Sequence, residues 1–231
     1  SVNRLILIAE NGSLLNFGLG RLVELVFKSL PSNPFLWSNS AAFSDLDTNL
    51  KKEIIDDTLH LINSLDSSAI VVTHNAEEAM FLSNVIVVME NGRIVQIGKP
   101  REIYFNPSNV YVASLFGEVN IFQTKVLNNK CETPLGLLDT KNFKDNQQVN
   151  VVVRPEAIKL NVEKSPLTSP NSGVVVDSKF LGNSAMIHMT VNDSNNKKHH
   201  IHSKLIGEFL PAPASSVSFS LDLNHVFIFP R

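Results

Sequence analysis

Three histidines on one short stretch, His199, His200 and His202, with His188 further upstream, are the side chains of this chain best suited by type to hold a transition metal. Residues two apart on a strand share a face, so the spacing suits ligation from a sheet. No cysteine or carboxylate lies close enough in sequence to complete a site in the usual way, and Lys197 and Lys198 come just before. The expectation is therefore a solvated strand and no metal centre. His74 closes the apolar run AIVVTH, and ligands of parallel sheets gather at the carboxyl ends of strands. Glu77 and Glu78 have the look of an acid–base pair, but within a short surface helix they read as a solvated face. Arg154 and Glu156 flank Pro155 at a strand end; the reading is an ion pair that fixes the fold, the alternative an anion site. No Gly-x-x-x-x-Gly-Lys-Ser/Thr phosphate loop occurs in the 231 residues.

The elements that must position these groups fall into two styles. RLILIA (4–9) reads as a strand ended by Glu10-Asn11-Gly12, and Leu19, Leu22, Val23, Val26 and Leu30 trace a helix stopped by Pro31. A buried strand at 35–39, carrying Trp37 in the core, precedes Asp47, a fitting N-cap. Leu50, Ile54, Thr58, Leu61 and Leu65 then mark the apolar face of a helix whose other face holds Lys51, Lys52, Asp56 and Asp57. Strand 69–74, the helical EEAMFL, strand VIVVME (85–90) and an Asn91-Gly92 hairpin into RIVQIG come next, then short helices at 100–106 and 109–116. Strands alternating with helices argue for a parallel sheet covered on both faces.

Near 117–121 the style changes. VNVVVR, GVVVDSKF, AMIHMTV, KHHIHSKL, SVSFSL and HVFIFP are short strands among Asn-, Ser-, Pro- and Gly-rich loops, the signature of an all-β barrel. Segments 128–148 and 163–172 read as long loops. The expected fold is thus α/β plus all-β, with domains over 1–118 and 119–231.

Composition narrows the partners. Twenty basic and 22 acidic side chains leave a net charge of −2, no field to draw in nucleic acid or an anionic membrane, so nucleic acid is not expected. The lone Cys131 suits a reducing compartment, and no apolar run approaches the ~20 residues of a spanning helix. The expected location is cytoplasmic, or peripheral at the inner face of the cell membrane, without direct insertion.

THNAEEAMFLSNVIVVMENGRIVQIGKPREIYFNPSNVYVASLFGEVN (73–120) resembles the end of the ATP-binding subunit of ABC importers. The carriers occur in order: Thr73-His74, Glu77-Glu78-Ala79, Asn91-Gly92-Arg93-Ile94, Gly98-x-Pro100, Glu102-Ile103-Tyr104, Pro107 and Phe116-Gly117-Glu118. Phe43-Ser44-Asp45-Leu46-Asp47 looks like the loop that crosses the dimer interface in that family, although Asp47 serves equally as a helix cap. Val153-Arg154-Pro155-Glu156, Phe180-Leu181-Gly182 and His225-Val226-Phe227 resemble the appended transport-associated oligonucleotide/oligosaccharide-binding-like (OB-like) barrel of ferric-iron, polyamine, sulfate and sugar importers. The resemblance implies a partial P-loop-NTPase-like sheet and an OB-like barrel, with ATP and Mg²⁺ as family cofactors. It also implies a homodimer or heterodimer formed through the barrel, and a membrane permease as partner.

The same resemblance places the loss of chemistry. The family's metal-holding aspartate falls on Ser40, its water-activating glutamate on Ala41 and its usual proline on Ala42. The signature segment aligns with Asn16-Phe17-Gly18-Leu19-Gly20, a phenylalanine standing where the family has serine. What remains of a nucleotide site is His74, Asp47, Ser44 and Gly18; no competent catalytic group is left. The expectation is a truncated import subunit that does not hydrolyse ATP by itself and serves dimerisation or regulation. Two alternatives stand beside it: a ligand-sensing barrel for a small oxyanion, a sugar or a metal-linked substrate, and an active ATPase whose phosphate loop lies upstream of Ser1.

Overall fold

A computed structural model describes residues 4–9, 35–39, 50, 53, 54, 56, 57, 60, 64, 68–140, 142–161 and 171–231. The chain divides into two compact units, Ser1–Phe116 and Gly117–Arg231.

The first unit is built on a five-stranded sheet. Its strands are β1 (Arg4–Ala9), β2 (Phe35–Asn39), β3 (Ser68–Thr73), β4 (Val85–Glu90) and β5 (Arg93–Gly98), in the order β2-β3-β1-β4-β5. Leu5 pairs with Ile70 on one side and Val85 on the other, and Phe35 with Ser68, so β1 to β4 all run parallel. β4 is buried along its interior, Ile86 to Met89, as expected of a strand covered on both faces. β5 turns back antiparallel through Asn91 (φ 49°) and Gly92 (φ 74°), the left-handed pair that a two-residue hairpin requires.

Helix α1 (Ala76–Leu82) starts at Asn75, whose side chain accepts from the amides of Glu77 and Glu78. Helix α2 (Pro100–Phe105) opens on a proline whose missing N–H costs nothing there. Helix α3 (Val110–Leu115) is capped by Asn109, and its Tyr111 hydroxyl donates to the Met89 carbonyl at 3.1 Å. Val71, Ala79, Leu82, Ile86, Val88, Ile103, Val112 and Phe116 form the core. Residues 50, 53, 54, 56, 57, 60 and 64 are helical, with Asp56 and Asp57 exposed as the pattern implies. Leu50 departs from it, being 45% exposed.

The second unit packs two antiparallel five-stranded sheets around one core. The first has the order β15-β9-β6-β7-β8, from β6 (Asn120–Leu127), β7 (Lys130–Thr133), β8 (Gly136–Asp139), β9 (Gln148–Val153) and β15 (Val226–Pro230). The second is β10-β14-β11-β12-β13, from β10 (Ile158–Asn161), β11 (Ser172–Phe180), β12 (Ser184–Asn192), β13 (Lys198–Ile206) and β14 (Ser216–Leu221). Val149, Val151 and Val153 of one sheet meet Ile187, Met189, Ile201 and Phe219 of the other in that core. Apolar and polar residues alternate along β12 because only one face is covered.

The expectation of an α/β part followed by an all-β part is met. The stretch 128–148 is not one long loop, however, since it contains the β7–β8 hairpin, with Cys131 pairing with Leu138. Four-residue strands with charges on the outer face, KCET above all, alternate too briefly to stand out in sequence. Most of 163–172 lies outside the described residues.

The outer strand β13 is held from two sides. The Asn120 amide donates to the His202 carbonyl at 2.9 Å and accepts from the His202 amide at 2.8 Å. The Ser203 hydroxyl donates to the Ile158 carbonyl at 2.8 Å. These bonds use backbone groups that an edge strand would otherwise leave unpaired.

Candidate functional site

Two regions gather groups able to do chemistry. In the first unit, Ala9, Asn39 and Thr73 end parallel strands on one edge of the sheet, the usual ligand side of such folds. His74 leaves β3 exposed there. Below it the Thr73 hydroxyl donates to the Glu78 carboxylate at 2.6 Å, both groups buried, and the Asn75 amide donates back to the Thr73 hydroxyl at 3.0 Å. Glu77 is solvated as expected, whereas Glu78 is only 7% exposed and turned into the fold. The reading of the pair as one solvated face is corrected. The strand-to-helix turn brings α1 back over the end of β3, and a hydroxyl at Thr73 makes an inward carboxylate tolerable. Ser40, Ala41, Ser44, Asp47 and Gly18 lie outside the described residues, as does the side chain of Trp37.

In the second unit the histidines divide between two faces. β12 and β13 pair so that His188 stands opposite His202, and Thr190 opposite His200. His188, His200 and His202 therefore share the outer face, while Ile201 and Ser203 point inward. His200 Nδ1 lies 3.2 Å from His188 Nε2, and the ring centroids of His188 and His202 are 4.9 Å apart. Asp177 on β11 faces His188 from the other side, just after a bulge that shifts the register past Val175. Burial, then the neighbouring His202 and His200, push His188 below the ordinary imidazole pKa; Asp177 opposes that shift and Lys179 adds to it.

His199 takes the opposite face. Its Nε2 lies 2.9 Å from Asp193 Oδ2 and its ring meets Phe122 edge-on. Bonding to His199 and then to the Lys197 amide holds the Asp193 carboxyl below its usual range. The expectation that no carboxylate lies near the histidines in sequence is corrected: Asp193 precedes His199 closely, and the β12–β13 turn folds it back onto that ring. Among the described residues no three His, Cys, Asp or Glu side chains already converge as a metal-holding group.

Arg154 is fully buried at the end of β9, its amide donating to the His225 carbonyl at 3.1 Å. Its guanidinium carbon sits 5.6 Å from the centre of the Phe227 ring. Glu156 is half-buried in the adjoining 3₁₀ turn, Pro155–Ala157. The position of Arg154 is that of a packing residue rather than of an open anion site.

No protein-family model matches the chain. It is similar to the spermidine/putrescine import ATP-binding protein PotA of Nitratidesulfovibrio vulgaris, 31% identical over 182 residues, covering 73% of this chain and 49% of that protein. The protein of the same description from Mannheimia succiniciproducens is 29% identical over 207 residues, 85% of this chain and 54% of the relative. That of Bacteroides fragilis is 38% identical over 143 residues, 59% of this chain and 30% of the relative. The chain spans about half the length of the first two of these curated relatives. Among solved structures, the cytoplasmic molybdate-binding protein ModG with molybdate bound covers 48% of this chain and 96% of its own, at 14% identity. The TM-score of 0.34 is too low to carry an argument. No helix among the described residues is long and apolar enough to cross a membrane.

Proposed function

Since this chain is a relative, over most of its length, of the ATP-binding subunits of ABC importers, we propose that it is an import-system component that does not turn over ATP by itself and acts through pairing and regulation. The observation that carries this reading lies at the carboxyl ends of the parallel strands. A phosphate loop joins a strand to a helix. Ala9 leads into Glu10-Asn11-Gly12, Asn39 into Ser40-Ala41-Ala42, Thr73 into His74-Asn75-Ala76, and Glu90 into Asn91-Gly92-Arg93. None of the four starts a glycine-rich, lysine-bearing loop.

Ser40 and Ala41, directly after β2, offer neither a carboxylate for Mg²⁺ nor a base for water, and loss of a general base alone costs about 10²–10⁴ in rate. His74 keeps the place from which a γ-phosphate would be sensed, without the groups that would hold that phosphate in reach. The retained roles are then association, through the β unit, with a second copy or a competent sister subunit, and docking to a membrane permease.

The test is a Mg-ATP titration of the purified chain with phosphate release measured in parallel. Neither saturable binding nor release above the buffer rate is expected. Magnesium-dependent turnover that disappears in His74→Ala would overturn the reading; saturable Mg-ATP binding and turnover that arise only once the segment encoded upstream of Ser1 is present would favour the ATPase alternative.

A further inference from the structure

The outer histidine face of β12 and β13 has no part in the nucleotide reading, and two of its ring nitrogens stand at the separation of a chelate. Two imidazole nitrogens bound to one tetrahedral zinc, each at about 2.0–2.1 Å, stand about 3.3 Å apart. His188 Nε2 and His200 Nδ1 stand 3.2 Å apart. They come from neighbouring strands whose register is set by the continuous pairing from Ser184↔Ile206 to Asn192↔Lys198. β13 is further fixed by the bonds of His202 to Asn120 and of Ser203 to Ile158. The backbone of the two residues is thus held in register, and the ring–ring contact brings the two nitrogens together.

We propose that His188 and His200 form a preformed two-nitrogen seat for a divalent d-block cation such as zinc or copper, completed by His202. His202 is directly opposite His188, with ring centroids 4.9 Å apart, and its exposed side chain needs only a rotamer change to bring a third nitrogen over the pair. Asp177 flanks His188 across the next strand and supplies negative charge, partly offset by Lys179, whose ammonium lies 3.9 Å from the Asp177 carboxylate.

In the metal-free pair, one ring donates its N–H to the other. Moving that proton to the donor ring's second nitrogen frees both lone pairs without ionising either ring, and a turn of each ring aims them at one point beside the pair. Imidazole donors suit zinc, copper and nickel, and ligation requires neutral rings, so acid competes with the metal.

The experiment is an equilibrium titration of the untagged 231-residue chain with zinc, repeated in His188→Gln, His200→Gln and His199→Gln. One zinc per chain is expected, with affinity falling about 10–100-fold in each of the first two variants. His199, on the opposite face with Asp193, is the internal control, and its variant keeps the affinity. A second readout needs no variant: substoichiometric copper(II) broadens the ring resonances of His188 and His200 more strongly than those of His199. Absence of saturable zinc binding, equal affinity in all three variants, or copper broadening confined to other histidines would each overturn the proposal. Because ATP turnover is not measured, failure here leaves the nucleotide reading standing, and the reverse also holds.

Discussion

The hydroxyl of Thr73 and the carboxylate of Glu78, 2.6 Å apart and both buried, lock the last residue of β3 to the first turn of α1. The bond fixes where His74, between them in sequence, leaves the sheet. Asn75 completes the turn by capping Glu77 and Glu78 while donating its own amide to Thr73. A carboxylate that sequence places on a helix surface is thereby turned into a strut of the strand–helix junction.

Replacing Thr73 by valine keeps the shape and removes one donor to a buried carboxylate. A loss of about 1–3 kcal/mol is expected from chemical denaturation. Thr73→Ser, which keeps the hydroxyl, should lose clearly less; equal losses would show that the methyl group and not the bond matters.

Asn120 bridges the two sheets of the β unit, with its amide on the Val153 and His202 carbonyls and its carbonyl on the His202 amide. Asn120→Ala should cost about 2–3 kcal/mol, at roughly 1 kcal/mol per bond. Hydrogen exchange at the His202 amide should accelerate more than at Ile187 in the core. Unchanged protection at His202 would contradict the bridging role.

Gly117 has φ +148°, and a Cβ there would come 3.1 Å from Nη1 of the buried Arg154. Gly117→Ala should therefore destabilise the chain by about 1–3 kcal/mol, chiefly from backbone strain, with added crowding of the Arg154 guanidinium. Thermal melts give the value, and a variant as stable as the parent would refute the crowding.

His188 should titrate below the ordinary imidazole value of 6.5, because burial and the facing His202 and His200 disfavour its charged form more than Asp177 favours it. Its folded pKa being lowered, the neutral ring is the form the fold prefers. Its stability contribution is full above 6.5, and erodes as pH falls below 6.5 toward the folded pKa. In metal-free protein, NMR titration of His202→Gln should find the His188 value raised toward 6.5. No movement would mean that His202 exerts no field on it.

Much of this architecture was legible from residue order. Val85 to Glu90 is apolar without alternation and proved to be an interior strand; Asn91-Gly92 announced its hairpin; Pro100 and Asn109 marked helix starts. The β7–β8 hairpin was missed because its strands are too short for period-two alternation to stand out, and the exposure of Leu50 because an apolar residue on a helix need not face the core. Likewise, nothing local tells Glu78 from Glu77.

By itself, the sequence supplied the expectation about chemistry: the 231 residues hold no Gly-x-x-x-x-Gly-Lys-Ser/Thr, and the resemblance sets Ser40 and Ala41 where the family has carboxylates. Tertiary structure alone decided which histidines meet. His199 and His200 are adjacent in sequence, but a strand sends successive side chains to opposite faces. Strand register then sets His200 beside His188, while the turn carrying Asp193 folds back to claim His199. Such proximities depend on hydrogen-bonded pairing between distant segments, and spacing along one strand carries no record of the register its neighbour will take.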